Sequence, residues 1–266
     1  MNDTQSLSWK NVVLVVVILF GVGLLFKPQY ASSMYEEVTF VINPTAERGL
    51  LYGSKHFDSG QAENYDLVRA ERFLRKAYEA DPEYPFVRHQ LARIEFLKGN
   101  FIAALRHIEA EIKTNPNPSS YYVRGLVKGY LEDYAGAAKD YETYLHTDPR
   151  NWAGINDYAW VLLKADRPRD ALVAVDWGLL YWSDNAWLLN NKATAHFELG
   201  QFTLAEEAVQ HAALAVQSVT PSQWSQAYPG NDPLIARQGV EALKVAISEN
   251  MHIIEAALEN EDKPVQ

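Results

Sequence analysis

Residues 121–149 read YYVRGLVKGYLEDYAGAAKDYETYLHTDP, and this stretch decides the fold. A helical pattern with the small residue Gly125 in its middle is followed by a bend at Asp133. A second helical pattern then contains Ala137 and, one turn later, Tyr141. A residue without bulk lets two helices approach closely, and a large residue one turn along fills the space beside it. The stretch therefore predicts a helix-turn-helix unit that ends at Pro149.

The polar residues of this stretch are also types that active sites use. In a helix-turn-helix unit, however, Tyr141 and Tyr144 face the seam between the helices. We expect Asp133 and Asp140 on the solvent-exposed side of their helices, and His146 near a helix end, where a partial positive charge is tolerated. The stretch thus indicates packing rather than chemistry.

The same pattern returns along the chain at a nearly constant spacing. Turn segments stand around Pro82, Pro116, Pro149 and Ser183, at intervals of 34, 33 and 34 residues. The small residues of the first helices are Gly53, Ala92, Gly125, Ala159 and Ala193; the alanines of the second helices are Ala70, Ala104, Ala137, Ala171 and Ala205; the residues four positions after those alanines are Leu74, Ile108, Tyr141, Val175 and Val209. Because each unit alone leaves an apolar face uncovered, we expect five units to stack into a solenoid.

These units resemble the tetratricopeptide repeat (TPR), which has small residues at its eighth and twentieth positions and a proline near its end. LARIEFLKGNFIAALRHIEAEIKTNP and NKATAHFELGQFTLAEEAV match this pattern well. The unit 152–183 departs from it by carrying Arg167 and Pro168 in the bend, and the unit 46–82 has a long middle, QAENYDLV. The resemblance covers residues 46–217. It implies an all-α TPR solenoid whose first helices line a concave groove.

An apolar run, NVVLVVVILFGVGLLF, precedes the repeats at residues 11–26, between Lys10 and Lys27. Its length approaches what crosses about 30 Å of hydrocarbon. We therefore predict a transmembrane anchor at 11–27 after a short tail, 1–10. A cleaved signal, with Ala31 and Ser33 before the cut, and a buried soluble helix are the alternatives. One lysine on each flank leaves the orientation open.

The segments on either side of the repeats are predicted as follows. Residues 28–45 form a juxtamembrane tether, whose YEEVTFVIN is either a short strand or extended chain. Residues 218–233 form a turn-rich connection, 234–260 a capping helix, and 261–266 a tail. The capping helix carries apolar residues at helical spacing: Leu234, Val240, Leu243, Ile247, Met251, Ile254 and Leu258.

Composition and motifs exclude several function classes. The net charge of -10 argues against nucleic-acid binding, and the absence of cysteine removes thiolate metal sites and cysteine nucleophiles. The chain has no HExxH, GxSxG or CxxC motif, and its seven histidines are scattered over different units. We therefore expect no metal, no cofactor and no catalytic residue. An acid/base role for His89 is the enzymatic alternative.

The TPR resemblance also implies which residues face the groove. They are Phe86, His89, Arg93, Phe96, Tyr122, Leu126, Tyr130, Asn156, Trp160, Leu163, Trp187, Asn190, Thr194 and Phe197. Trp177 lies on a second helix, and we expect it to pack. The lysine, arginine and asparagine set with which one TPR subclass binds a peptide carboxylate is not present. The mixture of aromatic and amide residues suits an extended peptide or a partner helix.

These expectations combine into one hypothesis. The chain is a membrane-tethered, single-pass TPR scaffold or adaptor that binds a partner protein through its groove and organises a membrane-associated assembly of the secretion, pilus or envelope type. The side of the membrane is left open. In the alternative, the chain is an architectural subunit of a larger machine, with its groove filled by its own tail or by a neighbouring copy.

Overall fold

The computed structural model describes residues 28–227 and 232–261, together with Val17, Ile18 and Gly21. These residues form thirteen α-helices and two short 3-10 helices, and no strand. The α-helices are α1 (Pro28–Ile42), α2 (Ala46–Lys55), α3 (Leu67–Ala80), α4 (Val87–Leu97), α5 (Phe101–Thr114), α6 (Pro118–Tyr130), α7 (Tyr134–Leu145), α8 (Trp152–Lys164), α9 (Pro168–Leu179), α10 (Ala186–Glu198), α11 (Phe202–Ala215), α12 (Pro221–Ala227) and α13 (Ala236–Glu261). The all-α class is therefore as the sequence predicts.

The predicted anchor, 11–27, lies outside the described residues except for Val17, Ile18 and Gly21, and so do the tail 1–10 and residues 262–266. Within the described part of the chain, no helix is both long enough and apolar enough for a bilayer crossing.

Ten of the helices, α2 to α11, pack as consecutive pairs, and each pair packs against the next. Five pairs account for ten of the thirteen helices. The other three, α1, α12 and α13, lie outside the pairs. Four of the five pairs begin at a capping side chain: the side-chain oxygens of Thr45, Asn117, Asn151 and Asn185 each accept a backbone N–H of the first turn.

The bend inside each of four pairs contains one residue in the left-handed region. These residues are Gly99, Glu132, Asp166 and Gly200, with φ between 58° and 75°. Glycine adopts this conformation without strain, whereas glutamate and aspartate do so at a cost. The bend geometry is thus shared by units whose bend sequences differ.

The small and large residues of the repeat pattern form the core, as predicted. The five second-helix alanines and their five partners, from Leu74 to Val209, have no exposed surface. Glycine stands on the first helix where the partner is Leu74 or Tyr141, and alanine stands where it is Ile108 or a valine. A Cβ added at Gly53 would lie 2.5 Å from Cγ of Leu74, and one at Gly125 would lie 3.2 Å from the ring of Tyr141. At these two positions a β-carbon would therefore crowd the partner side chain.

The predicted strand or extended tether at 35–43 is wrong, because residues 35–42 belong to α1 and Asn43 follows its end. Phe40 is buried and meets the ring of Phe73 edge-on, with the ring centres 5.1 Å apart. The buried carboxylate of Glu36 accepts hydrogen bonds from Lys55 (2.5 Å) and His56 (2.8 Å). Contacts with α2 and α3 thus override the strand preference of the β-branched residues in this segment.

The C-terminal connection is also more ordered than the predicted turns. It contains the 3-10 helices Val216–Ser218 and Pro233–Ile235, and the helix α12 between them. The last helix begins at Ala236 rather than at 234, and Leu234 is exposed. Ile247 and Ile254 of α13 are buried in one cluster with α10 and α11. In this way α13 covers the last pair, where a sixth first helix would otherwise stand.

Two sequence expectations about single side chains are wrong. Asp140 is buried, not solvent-exposed: its carboxylate accepts two hydrogen bonds from Arg124 and pairs with Lys128. Trp177 is 44% exposed rather than packed, and its indole N–H donates to the carbonyl oxygen of Pro149. Asp133, by contrast, is exposed as expected and caps α7.

Candidate functional site

A cavity of about 560 Å³ lies along the first helices of three consecutive pairs. Its lining residues are His89, Arg93, Phe96 and Leu97 of α4; Ser119, Tyr122, Val123, Leu126 and Tyr130 of α6; Tyr144, Asn151, Trp152 and Ala153 of α7 and α8; and Trp224 of α12. Because first helices supply most of these residues, the cavity lies in the concave groove of the solenoid. Its size is that of a typical site for a small ligand or for a few side chains.

Six of the fourteen groove residues named from the sequence line this cavity. They are His89, Arg93, Phe96, Tyr122, Leu126 and Tyr130. Phe96 and Tyr130 meet edge-on, with their ring centres 5.0 Å apart, and Tyr130 is 53% exposed. An apolar wall with accessible ring surface therefore joins α4 to α6.

Eight predicted groove residues are not part of the cavity lining. Phe86, Asn156, Trp160, Leu163, Trp187, Asn190, Thr194 and Phe197 make other contacts. Asn156 and Leu163 are buried. The ring of Trp160 packs on Tyr130 and against Gly129, and that of Trp187 packs on Trp152, so both tryptophans join neighbouring units.

The other four lie at the ends of the groove. Phe86 adopts a left-handed conformation before α4, with φ of 68°, and its ring meets that of His89. Asn190 accepts a hydrogen bond from Asn250 of α13 (2.9 Å), and Phe197 packs against the cluster that contains α13. The hydroxyl of Thr194 donates to the backbone oxygen of Asn190. The last helix thus covers the part of the groove that α10 was expected to offer.

Arg93 is the cation of the cavity lining. One guanidinium nitrogen donates to Gln90 Oε1 (2.6 Å), and the group lies 4.5 Å above the ring of Phe57. Among the residues that the structure describes, no carboxylate lies within salt-bridge distance of Arg93. Burial lowers the pKa of the guanidinium to about 10, so Arg93 is still charged at neutral pH. The cavity therefore offers a positive charge to a ligand.

His89 is buried beside this cation, and its Nδ1 lies 3.0 Å from the hydroxyl of Ser120. Burial, with the charge of Arg93 as the second cause, lowers the pKa of the imidazole to about 3. So weak a base does not fit the acid/base role considered above, since general acid–base catalysis works best when the pKa of the catalytic group lies near the working pH. In the described part of the chain, no group of histidine and carboxylate side chains is arranged to hold a metal ion.

Asp157 does not line the cavity, but it holds the lining residue Tyr122 in place. It was not named from the sequence. Its buried carboxylate accepts hydrogen bonds from the hydroxyl of Tyr122 (2.7 Å) and from Asn156 Nδ2 (3.1 Å). Asn156 in turn accepts a hydrogen bond from Asn191 Nδ2 (2.9 Å). This network connects α6, α8 and α10 and fixes the orientation of the Tyr122 ring. The run GINDYAW, a carboxylate among residues of a core helix, is the only sequence signal of it.

Burial raises the pKa of Asp157 to about 7, against the hydrogen bonds from Tyr122 and Asn156, which lower it. The folded protein therefore holds this proton more tightly than the unfolded chain does. Between about pH 4 and pH 7 the folded state binds more protons, so this residue makes the free energy of unfolding fall as the pH rises, and the fall ends above the folded pKa.

Asp157→Asn is therefore expected to reduce the loss of stability between about pH 5 and pH 8. Urea unfolding at several pH values measures it. Asp176→Asn is the control, because Asp176 is exposed and should leave the wild-type pH dependence in place. The same pH dependence in wild type and Asp157→Asn would contradict the assignment.

Trp224 is one of eight lining residues that were not named from the sequence, and it is the one that lies outside the helix pairs. It belongs to α12, which follows the last helix pair, yet it lines a cavity made by earlier pairs. A side-chain hydrogen bond joins Ser59, between α2 and α3, to the backbone oxygen of Ser225 (3.3 Å). The segment after the last pair thus reaches back to the first pair.

Comparisons with known proteins agree on the type of fold. No family model matches the chain. Human tetratricopeptide repeat protein 13 is 27% identical over 143 residues, which are 53% of this chain and 16% of that protein. The chain therefore spans less than one fifth of the length of the curated relative that it matches.

Solved structures of TPR type are similar as well. YrrB, described as a TPR protein with an unusual peptide-binding site, has a TM-score of 0.58 and 14% identity, over 73% of this chain and 98% of YrrB. MamA has a TM-score of 0.53 and 13% identity, over 59% of this chain and 92% of MamA. At these identities the likeness shows the fold: a TPR-like solenoid.

Proposed function

We propose that this protein is a membrane-tethered scaffold that binds a segment of a partner protein in the cavity of its concave groove. The observation that carries the proposal is the lining of that cavity, in which Arg93 has no carboxylate at salt-bridge distance among the described residues and stands among aromatic rings of α4 and α6. YrrB, a structural neighbour with a peptide-binding site, supports the same kind of ligand.

The lining suits a peptide with apolar and acidic side chains. Phe96, Leu126 and Tyr130 offer apolar surface, and aromatic residues in pockets supply most of the binding energy in many interfaces. Arg93 offers a charge that a partner's carboxylate would neutralise in partly desolvated surroundings. Tyr122, held by Asp157, keeps the wall between them rigid. These features favour a partner that offers an extended peptide or a short helix over a partner that offers a flat surface.

The membrane tether is a proposal that rests on the apolar run of residues 11–26. Tethering would hold the solenoid near membrane-bound partners and so favour the assembly of a secretion, pilus or envelope complex. Extraction of membranes at alkaline pH tests the tether, and protease protection on intact membranes tests the side on which the solenoid lies. Release of the full-length chain by alkaline washing would contradict the tether.

Arg93→Gln should weaken partner binding at least about tenfold, because it removes the positive charge while keeping a side chain of similar length that hydrogen-bonds. Proteins that co-purify from detergent extracts would be compared between wild type and variant, and the affinity of the identified partner would then be measured. Val173→Ala is the matched control, since Val173 is exposed on α9 and outside the cavity lining. Equal affinity of wild type and Arg93→Gln would contradict the assignment of the groove.

The second candidate is an architectural subunit whose groove is filled by the chain itself or by a copy. Two contacts favour it: α13 covers Asn190, and Trp224 lines the cavity. A partner set that Arg93→Gln leaves unchanged would favour this candidate. Deletion of α13 is not a clean test of an open groove, because Ile247 and Ile254 belong to the core of the last pair.

A further inference from the structure

We infer that Trp224 is a built-in occupant of the groove, which a partner displaces with an aromatic side chain of its own. The inference rests on the proposed function and specifies the partner: a segment whose anchoring residue is a tryptophan or a similar ring. The observations are the place of Trp224 in the cavity lining, its contact with α13, and its absence from the cores.

Trp224 reaches the cavity lining from outside the helix pairs. The other lining residues come from α4, α6, α7 and α8 and from Asn151 before α8, whereas Trp224 comes from a helix that follows α11 and crosses to the first pair. The hydrogen bond between Ser59 and Ser225 spans 166 positions of sequence. A helix that lays apolar side chains into a groove is one of the recurring forms of a bound peptide.

α12 is attached through α13 and the hydrogen bond from Ser59 rather than through the cores of the helix pairs. The four hydrophobic core clusters in the described residues contain no residue of α12. A seven-residue helix is too short to be stable without tertiary contacts. Segments with few buried apolar contacts open at a lower free energy than the core does. Release of α12 should therefore leave the solenoid folded.

The indole of Trp224 is held against α13 at Gly239. A Cβ at residue 239 would overlap the ring, so alanine there forces Trp224 to move. Alanine is also the better helix former, and α13 should tolerate it. Gly239→Ala thus releases Trp224 by a change outside the cavity, while Trp224→Ala removes the ring itself. Both variants should therefore leave the groove without the Trp224 ring, one by displacing the ring and the other by removing it.

The absence of cysteine makes the opposite experiment practicable. Ser59→Cys and Ser225→Cys, combined in this cysteine-free chain, place one thiol on each of the two residues that the hydrogen bond from the Ser59 hydroxyl to the Ser225 backbone oxygen joins. Oxidation should lock α12 in the groove, and reduction should release the lock in the same sample. Electrophoresis without reductant shows whether the disulfide has formed.

The probe is a fluorescein-labelled peptide with the chain's own sequence TPSQWSQA, residues 220–227. We expect it to bind the full-length Trp224→Ala and Gly239→Ala proteins at least about tenfold more tightly than wild type, and the oxidised double-cysteine protein more weakly than its reduced form. TPSQASQA should not bind. Equal binding to wild type and both released variants, equal binding of the two peptides, or no binding to any protein would overturn the inference.

Failure of the inference and failure of the proposed function give different results. If an identified partner binds wild type, Trp224→Ala and the oxidised protein with one affinity, the groove is used but Trp224 does not occupy the partner's place. Suppose instead that no partner binds Arg93→Gln more weakly than wild type, while the peptide binds Trp224→Ala and Gly239→Ala more tightly than wild type. The inference about Trp224 is then supported and the proposed scaffold function is contradicted.

Discussion

Asp140→Ala should lower the free energy of unfolding by about 3–5 kcal/mol, because it leaves two cations without their buried partner. The Asp140 side chain is 4% exposed, and Arg124 donates two hydrogen bonds to it, of 2.8 and 2.6 Å. Lys128 Nζ lies 2.8 Å from the same carboxylate. Removal of an acid that two cations share costs the desolvation energy of both as well as the bonds themselves.

Chemical denaturation of the purified protein measures this loss. Asp176→Ala is the matched control: Asp176 also accepts a hydrogen bond from a lysine, Lys192, at 2.7 Å, but its side chain is 55% exposed. An exposed pair of this kind contributes about 0–1 kcal/mol. Losses of similar size for the two variants would show that the burial of Asp140 does not matter.

The fold could be predicted from the sequence, but the burial of Asp140 could not. Spacing reveals apolar and small residues because every unit needs them at the same places. An ion pair in the seam belongs to one unit and breaks the expectation that charged residues face solvent. Arg124 and Lys128, four positions apart on the first helix, lie on one face of α6 and were the available signal.

The groove could be predicted in its centre but not at its ends. The residues of α4 and α6 at the expected positions line the cavity. On α8 and α10, the large rings of Trp160 and Trp187 turn into the seams between units, since Gly129 and Trp152 offer surface there. Trp224 lines the cavity because two distant parts of the chain are in contact, and such a contact cannot be predicted from helical spacing.

Units also differ in the pair of residues that meet between their first and second helices. Where the second helix has Tyr141, the first helix has glycine, and where it has valine, the first helix has alanine; Leu74 and Ile108, which have equal volume, stand opposite glycine and alanine. The two residues fill one space, so the volume of the pair matters more than either residue alone. This relation predicts that residues 125 and 141 are energetically coupled.

Tyr141→Val should lower the free energy of unfolding by about 3 kcal/mol, because it removes a fully buried ring and leaves a cavity. Gly125→Ala on its own should give little of the roughly 1 kcal/mol that alanine adds to a helix, since its Cβ would lie 3.2 Å from that ring. The double variant recreates the combination of Ala159 with Val175, and we expect it to recover about 1–2 kcal/mol of the loss.

A double-mutant cycle of urea unfolding measures this coupling. Gly136→Ala with Tyr141→Val is the control pair, because Gly136 lies beside Asp133 rather than beside the ring, and these two changes should add. Additive effects of Gly125→Ala and Tyr141→Val would contradict the shared space. A coupling of about 1 kcal/mol or more would instead show that residues 125 and 141 share one volume that is divided between two helices.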